Sequence, residues 1–211
     1  AHMHVGYERD RLMLGFARRA ASYKRAMLLF RDPERLAKIS RGRIQIVFAG
    51  KAHPKDKHGK EIIHNVIQAA NKLFDSVLIT YLENYNMWLG RLITSGVDVW
   101  LNTPLRPNEA SGTSGMKAAM NGVPNFSILD GWWAEGCKDG INGWAIGDNE
   151  NTGDDVEDAE QLYSTLENTI IPTYYDDREK WISIMRESII TSADFTAQRM
   201  VNDYCKLSYE P

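Results

Sequence analysis

The sequence predicts an α/β fold built on a doubly wound parallel sheet, and three observations predict it. Short apolar runs alternate with stretches of helical spacing from Leu12 to Pro124. The runs suit strands buried beneath helices on both faces. Charged and small residues collect just after the C-terminal ends of those runs, where open α/β sheets bind their ligands.

Residues 12–17 are predicted as the first strand and 23–30 as helical. Arg18, Arg19, Lys24 and Arg25 crowd the strand's end, which reads either as an anion site or as a solvated loop with snorkelling side chains. The helix continues over 33–39, and 44–50 is the second strand, followed by Lys51. Gly59-Lys60 is not a P-loop, because Pro54 occupies the place of the first glycine and Glu61 that of the Ser or Thr. His53, His58 and His64 lack paired spacing, so no metal site is predicted. Ile62, Val66, Ala70 and Leu73 mark one stripe of a helix over 61–74. The third strand, 76–81, delivers Glu83-Asn84-Tyr85 to the same sheet edge. A helix over 85–95 then ends on Gly96, and 97–102 is the fourth strand.

The chain is organised around the stretch after that strand, Glu109-Ala110-Ser111-Gly112-Thr113-Ser114-Gly115-Met116-Lys117. A helix is predicted over 116–120, making this stretch the ligand-facing turn of an α/β unit. Lys117 then lies just inside a helix N-terminus, a poor position for a purely structural cation. A fifth strand is predicted over 124–129 and another short one over 142–147. The adjacent Trp132 and Trp133 between them read as local packing. Residues 148–158 form an acidic loop whose register does not fit an EF-hand. Helices over 156–171, 178–192 and 195–207 close the chain and pack on the sheet.

Composition narrows the function classes. With 25 basic and 28 acidic residues the formal net charge is -3, so nothing global favours nucleic acid or an anionic membrane. No apolar run approaches the roughly 18 residues of a membrane span, and a soluble, cytoplasmic protein is expected. Cys137 and Cys205 lie far apart, and free thiols are expected. Ala1-His2-Met3 reads as a cloning remnant, leaving 4–211 as one domain.

In such a sheet Arg18, Arg19, Lys24, Lys51, Tyr85, Glu109 and Lys117 converge on one rim. Several cations and the amides of Gly112, Thr113 and Ser114 suit more than one phosphate. Glu109 suits sugar hydroxyls, and a lysine flanked by cations and apolar Met116 suits a Schiff base.

The motif at 109–117, with Tyr23-Lys24-Arg25 and Glu83-Asn84-Tyr85 upstream, closely resembles the α-glucan (glycogen/starch) phosphorylases. The resemblance runs from about Leu12 to Asp130 and implies the C-terminal Rossmann-like domain of a GT-B glycosyltransferase architecture, without its N-terminal partner. It implies that Lys117 carries pyridoxal 5'-phosphate (PLP) as a Schiff base with Tyr85 near the ring. Arg18, Thr113 and the Ser114 amide would hold the cofactor phosphate, and Arg19 and Lys24 the substrate phosphate. Glu109, Ala110, Ser111 and Gly112 would contact the transferred glucosyl unit. The implied reaction converts α-1,4-glucan and inorganic phosphate to glucose 1-phosphate with retention, and the domain alone would be inactive. The chain departs from the commoner pattern in Arg18 for Lys, Ala21-Ser22 for His-Glu, Gly115 for Asn, and Trp132-Trp133 for Ala-Asn, which implies a divergent, shorter prokaryotic type.

The sequence admits two rival readings. A nucleotide-sugar-dependent glycosyltransferase resembling glycogen synthase needs a second Glu eight residues beyond Glu109 to hold the ribose. That position is Lys117, which accepts no hydrogen bond. The other rival is a non-catalytic anion- or glucan-binding module. Chain-length preference, effectors and oligomeric state, a homo-oligomer included, stay open.

Overall fold

The computed structural model describes residues 6–148 and 153–209; residues 1–3, and part of the acidic loop, lie outside them. Six parallel strands form one sheet in the order β3-β2-β1-β4-β5-β6. They are β1 (Leu12–Ala17), β2 (Ile44–Ala49), β3 (Leu78–Leu82), β4 (Val99–Asn102), β5 (Asn125–Ile128) and β6 (Gly143–Ile146). The helices of this part are α1 (Pro33–Ser40), α2 (Lys57–Lys72), α3 (Met87–Gly96), α4 (Thr113–Met120) and the short α5 (Trp132–Gly136). After the sheet come α6 (Asp155–Thr165), α7 (Ile171–Asp176), α8 (Arg178–Ser192) and α9 (Ala197–Tyr204).

Both faces of the sheet are covered, which is why the strands read as continuous apolar runs. Alternate residues, such as Leu14, Ile46, Val99, Leu101 and Phe126, pack in the larger cluster with residues of α1, α2, α6 and α8. The others, such as Ala17, Val47 and Trp100, pack with Ile93, Val97 and Ala118 around α3 and α4. Trp132 and Trp133 are buried, and the Trp133 indole N–H donates to the Trp144 carbonyl at 3.2 Å, so the pair does pack locally.

Several boundaries differ from expectation, each for a local reason. Residues 23–30 form two 3-10 turns, Ser22–Lys24 and Leu28–Phe30, because Arg25 takes a left-handed backbone (φ 48°) that ends the first. Gly96 is the last residue of α3, and extended Val97 caps it, so no left-handed glycine is used there. The 156–171 helix continues from α6 into α7 through a π-helical turn at Leu166–Ile170. At the far end α9 buries none of its residues. Arg199 ties it back through Glu135 and the Asp194 carbonyl, while Met200, Val201, Tyr204 and Leu207 remain exposed. None of the helices among the described residues is long and apolar enough to cross a membrane.

Strand order reverses between β1 and β4, so the loops leaving their C-terminal ends part and open a crevice.

Candidate functional site

Arg18 leaves β1 directly into that crevice, and Glu109 and Gly112 enter it from the loop after β4. The Tyr23-Lys24-Arg25 turn is sewn to the same loop. Leu105 N–H donates to the Tyr23 carbonyl at 2.6 Å, and the Thr103 hydroxyl to the Lys24 carbonyl at 3.0 Å. The Arg25 guanidinium donates to the Thr103 and Pro104 carbonyls at 3.0 and 2.9 Å and pairs with Asp155 and Asp158. Arg25 is thus the anchor of the turn, a role its place in the sequence motif did not disclose. Anchoring it turns Lys24 inward, where the lysine is only 5% exposed.

There Lys24 and Arg18 both pair with the Glu109 carboxylate, and Arg18 also donates to the Ser114 hydroxyl. All three charged side chains are about nine-tenths buried. Burying ions is costly unless they are paired, and this trio pairs while keeping one net positive charge. It lines a cavity of about 390 Å³ that also meets Arg19, Tyr23, Tyr85, Ala110, Ser111 and Thr113. Arg19 is exposed and donates to the Tyr23 hydroxyl at 3.3 Å, and the Lys24 ammonium lies 4.5 Å from the Tyr23 ring centroid. Burial raises the Tyr23 phenol, but hydrogen bonds and charge from Lys24 and Arg19 outweigh it and bring the phenol below its usual range. Burial raises Tyr85, with the Arg18 charge opposing, so that phenol stays protonated well above neutrality.

Gly112 caps α4 with a left-handed backbone (φ 81°), and the helix starts at Thr113 rather than at Met116. Lys117 accordingly lies in the last turn, where the helix dipole favours a cation, so the expected conflict at the N-terminus does not arise. Ser114 and Lys117, three residues apart on one helix face, share a cavity of about 610 Å³ with Tyr85, Arg91, Thr94 and Asn121. The Lys117 side chain is exposed, and its ammonium has no ion pair or hydrogen bond among the described residues. Met116 does not flank it, but faces the opposite side toward Phe195 and Met200. Lys51 is exposed and lines neither cavity.

Two of the departures in sequence turn out to touch. A Cβ at Gly115 would sit 2.7 Å from the Trp132 indole nitrogen and 2.4 Å from Asn125 Oδ1. The bulk that a longer residue would place at 115 is supplied here by Trp132, from below. The arrangement offers two adjoining compartments, one lined by Arg18, Arg19, Lys24 and Glu109 and the other by Lys117, joined through Tyr85 and Ser114. Among the described residues no group of His, Cys, Asp and Glu is arranged to hold a metal ion.

Residues 18–138 match the family described as carbohydrate phosphorylase. The chain is 49% identical over 210 residues to the maltodextrin phosphorylase of Thermococcus litoralis, covering 96% of this chain and 25% of that protein. It is 50% identical to the glycogen phosphorylase of Aquifex aeolicus, covering 95% of this chain and 30% of the relative. It is 43% identical to that of Mycobacterium tuberculosis over 98% of this chain and 25% of the relative. The chain therefore spans between a quarter and a third of the length of these relatives.

Proposed function

We propose, since this chain belongs to the carbohydrate phosphorylase family, that it is the phosphate-handling lobe of an α-glucan phosphorylase. The observation that carries the reading is the convergence of Arg18 and Lys24 on Glu109, beside the compartment lined by Ser114, Tyr85 and Lys117. In the reaction proposed, the bond from C1 of the terminal glucosyl unit to the glucan oxygen breaks and that oxygen takes the proton carried by the inorganic phosphate. A phosphate oxygen bonds to C1 with retention, giving glucose 1-phosphate and a glucan one unit shorter.

The residues fit PLP. Ser114 and Lys117 share a face and a cavity with the Tyr85 phenol, which burial keeps protonated, and Arg18 donates to the Ser114 hydroxyl from the adjoining compartment. Lys117 would hold the group covalently through Nζ, and Arg18, Thr113 and Ser114 would hold its phosphate. When bound, that phosphate supplies a proton-donating or electrostatic partner to the substrate phosphate.

The remaining work falls to the chain itself. Two unit charges 4 Å apart repel by about 4 kcal/mol at an effective dielectric of 20, so the two phosphates need fixed cations between and beside them. Arg19 and Lys24 are assigned to the substrate phosphate and Arg18 to the other. Glu109 and the backbone of Ala110, Ser111 and Gly112 face the glucosyl hydroxyls, orienting C1 toward the phosphate and stabilising its positive charge in the transition state. The rest of the sugar site belongs to the larger part of a full-length protein, so this chain alone is proposed to be inactive. A cytoplasmic setting goes with that reading.

The test is to incubate the protein with PLP, reduce with borohydride and map the adduct by mass spectrometry. A single adduct on Lys117 is expected in the full-length protein, with no UDP-glucose binding. Labelling scattered over surface lysines of the full-length protein, with Lys117 unmodified, would overturn the reading, and UDP-glucose binding would favour the nucleotide-sugar rival.

A further inference from the structure

The turn after β5 touches the loop at 109–112 with three consecutive residues, none of which lines the anion cavity. Asp130 is buried, 7% exposed, and both of its oxygens are used. Oδ2 accepts the Glu109 backbone N–H at 2.8 Å and Oδ1 accepts the Gly131 N–H at 2.9 Å. Gly131 follows with φ 57°, and a Cβ there would lie 2.7 Å from the Ser111 carbonyl oxygen and 2.9 Å from that of Glu109. Trp132 then donates its N–H to the Ser111 carbonyl at 2.8 Å, and its indole lies under Gly112, 3.1 Å from where a Cβ would be.

We propose that Asp130 is a positioning residue for sugar recognition, gripping the Glu109 amide so that the Glu109 side chain and the 110–112 backbone keep one fixed register. The inference rests on the reading that this loop faces a glucosyl unit. Its physical basis is the acceptor count. A carboxylate can receive both N–H groups, whereas an Asn in its place must turn an NH₂ toward one of them, setting donor against donor in a buried site. With the NH₂ on the Glu109 side, Glu109 loses its backbone hold, although its contacts with Arg18 and Lys24 remain.

The Glu109 amide is followed by NMR in the ¹⁵N-labelled 211-residue chain, and affinities for inorganic phosphate and glucose 1-phosphate are measured on the full-length protein, each as wild type and Asp130→Asn. Without ligand, the Glu109 amide proton should shift upfield and exchange faster in Asp130→Asn. With ligand, affinity for glucose 1-phosphate should fall about tenfold, while affinity for phosphate stays within about twofold. An unmoved Glu109 amide, or an equal loss for both ligands, overturns the proposal. If wild type binds neither ligand while the amide still moves, the glucosyl reading fails, and the role in sugar recognition with it. Asp130→Ala, which removes both acceptors and introduces no ill-placed donor, is measured alongside with the same expected outcomes and decides the matter should Asp130→Asn not fold.

Discussion

The two ends of the stretch from Glu109 to Lys117 are built in opposite ways. Glu109 is buried, paired with two cations and held by its own backbone N–H, whereas Lys117 is exposed on the last turn of a short helix. That contrast separates the parts of the site by origin. The Glu109 end is preorganised by the chain itself, and the lysine end is presented outward.

Stability measurements put the contrast at risk. Glu109→Ala leaves Arg18 and Lys24 buried without their carboxylate and should cost about 3–5 kcal/mol in urea unfolding. Lys117→Ala should stay within about 0.5 kcal/mol of wild type, while abolishing the borohydride-trapped adduct. Equal losses at both ends would erase the distinction.

The next largest effect is expected at Gly115. Gly115→Asn drives a side chain into Trp132 and Asn125 and should cost about 2 kcal/mol. Adding Trp132→Ala should return part of that, with a coupling of about 1 kcal/mol in the double-mutant cycle. Strict additivity would mean that the two departures are unrelated.

Smallest is the contrast between the phenols. Tyr85 has its pKa raised mainly by burial, so its contribution to stability is fully present below the ordinary phenol value of about 10 and is lost as pH rises through its folded value. Tyr23 is shifted the other way by Lys24 and Arg19. Ultraviolet titration of Tyr23→Phe and Tyr85→Phe should show Tyr23 ionising first. The reverse order would mean that the cations do not face Tyr23.

Much of the sheet was legible because its signal is periodic. Buried runs such as that of β1, and the residue spacing of α8, come from one-dimensional patterns that survive without knowledge of contacts. The convergence of Arg18, Lys24 and Glu109 was legible from topology alone, since loops after parallel strands meet on one edge. What escaped depended on contacts between distant residues or on a single backbone angle. The left-handed residue at Arg25 broke a stretch whose spacing read as helical. The small residues at 113–115 concealed the start of α4, and with it the position of Lys117. Nothing in the neighbourhood of Asp130 or Trp132 signals that both support a loop some twenty residues earlier.

The attachment of α9 has a practical consequence. Its link to Glu135 joins two exposed side chains, the kind of contact that dissolved ions weaken, whereas the packed sheet owes little to charge. Ionic strength is therefore a lever on the seating of this helix. In strong salt its tether should slacken while the apolar stripe from Met200 to Leu207 becomes more adhesive, and the chain's retention on a hydrophobic column would report on its last helix rather than on its core.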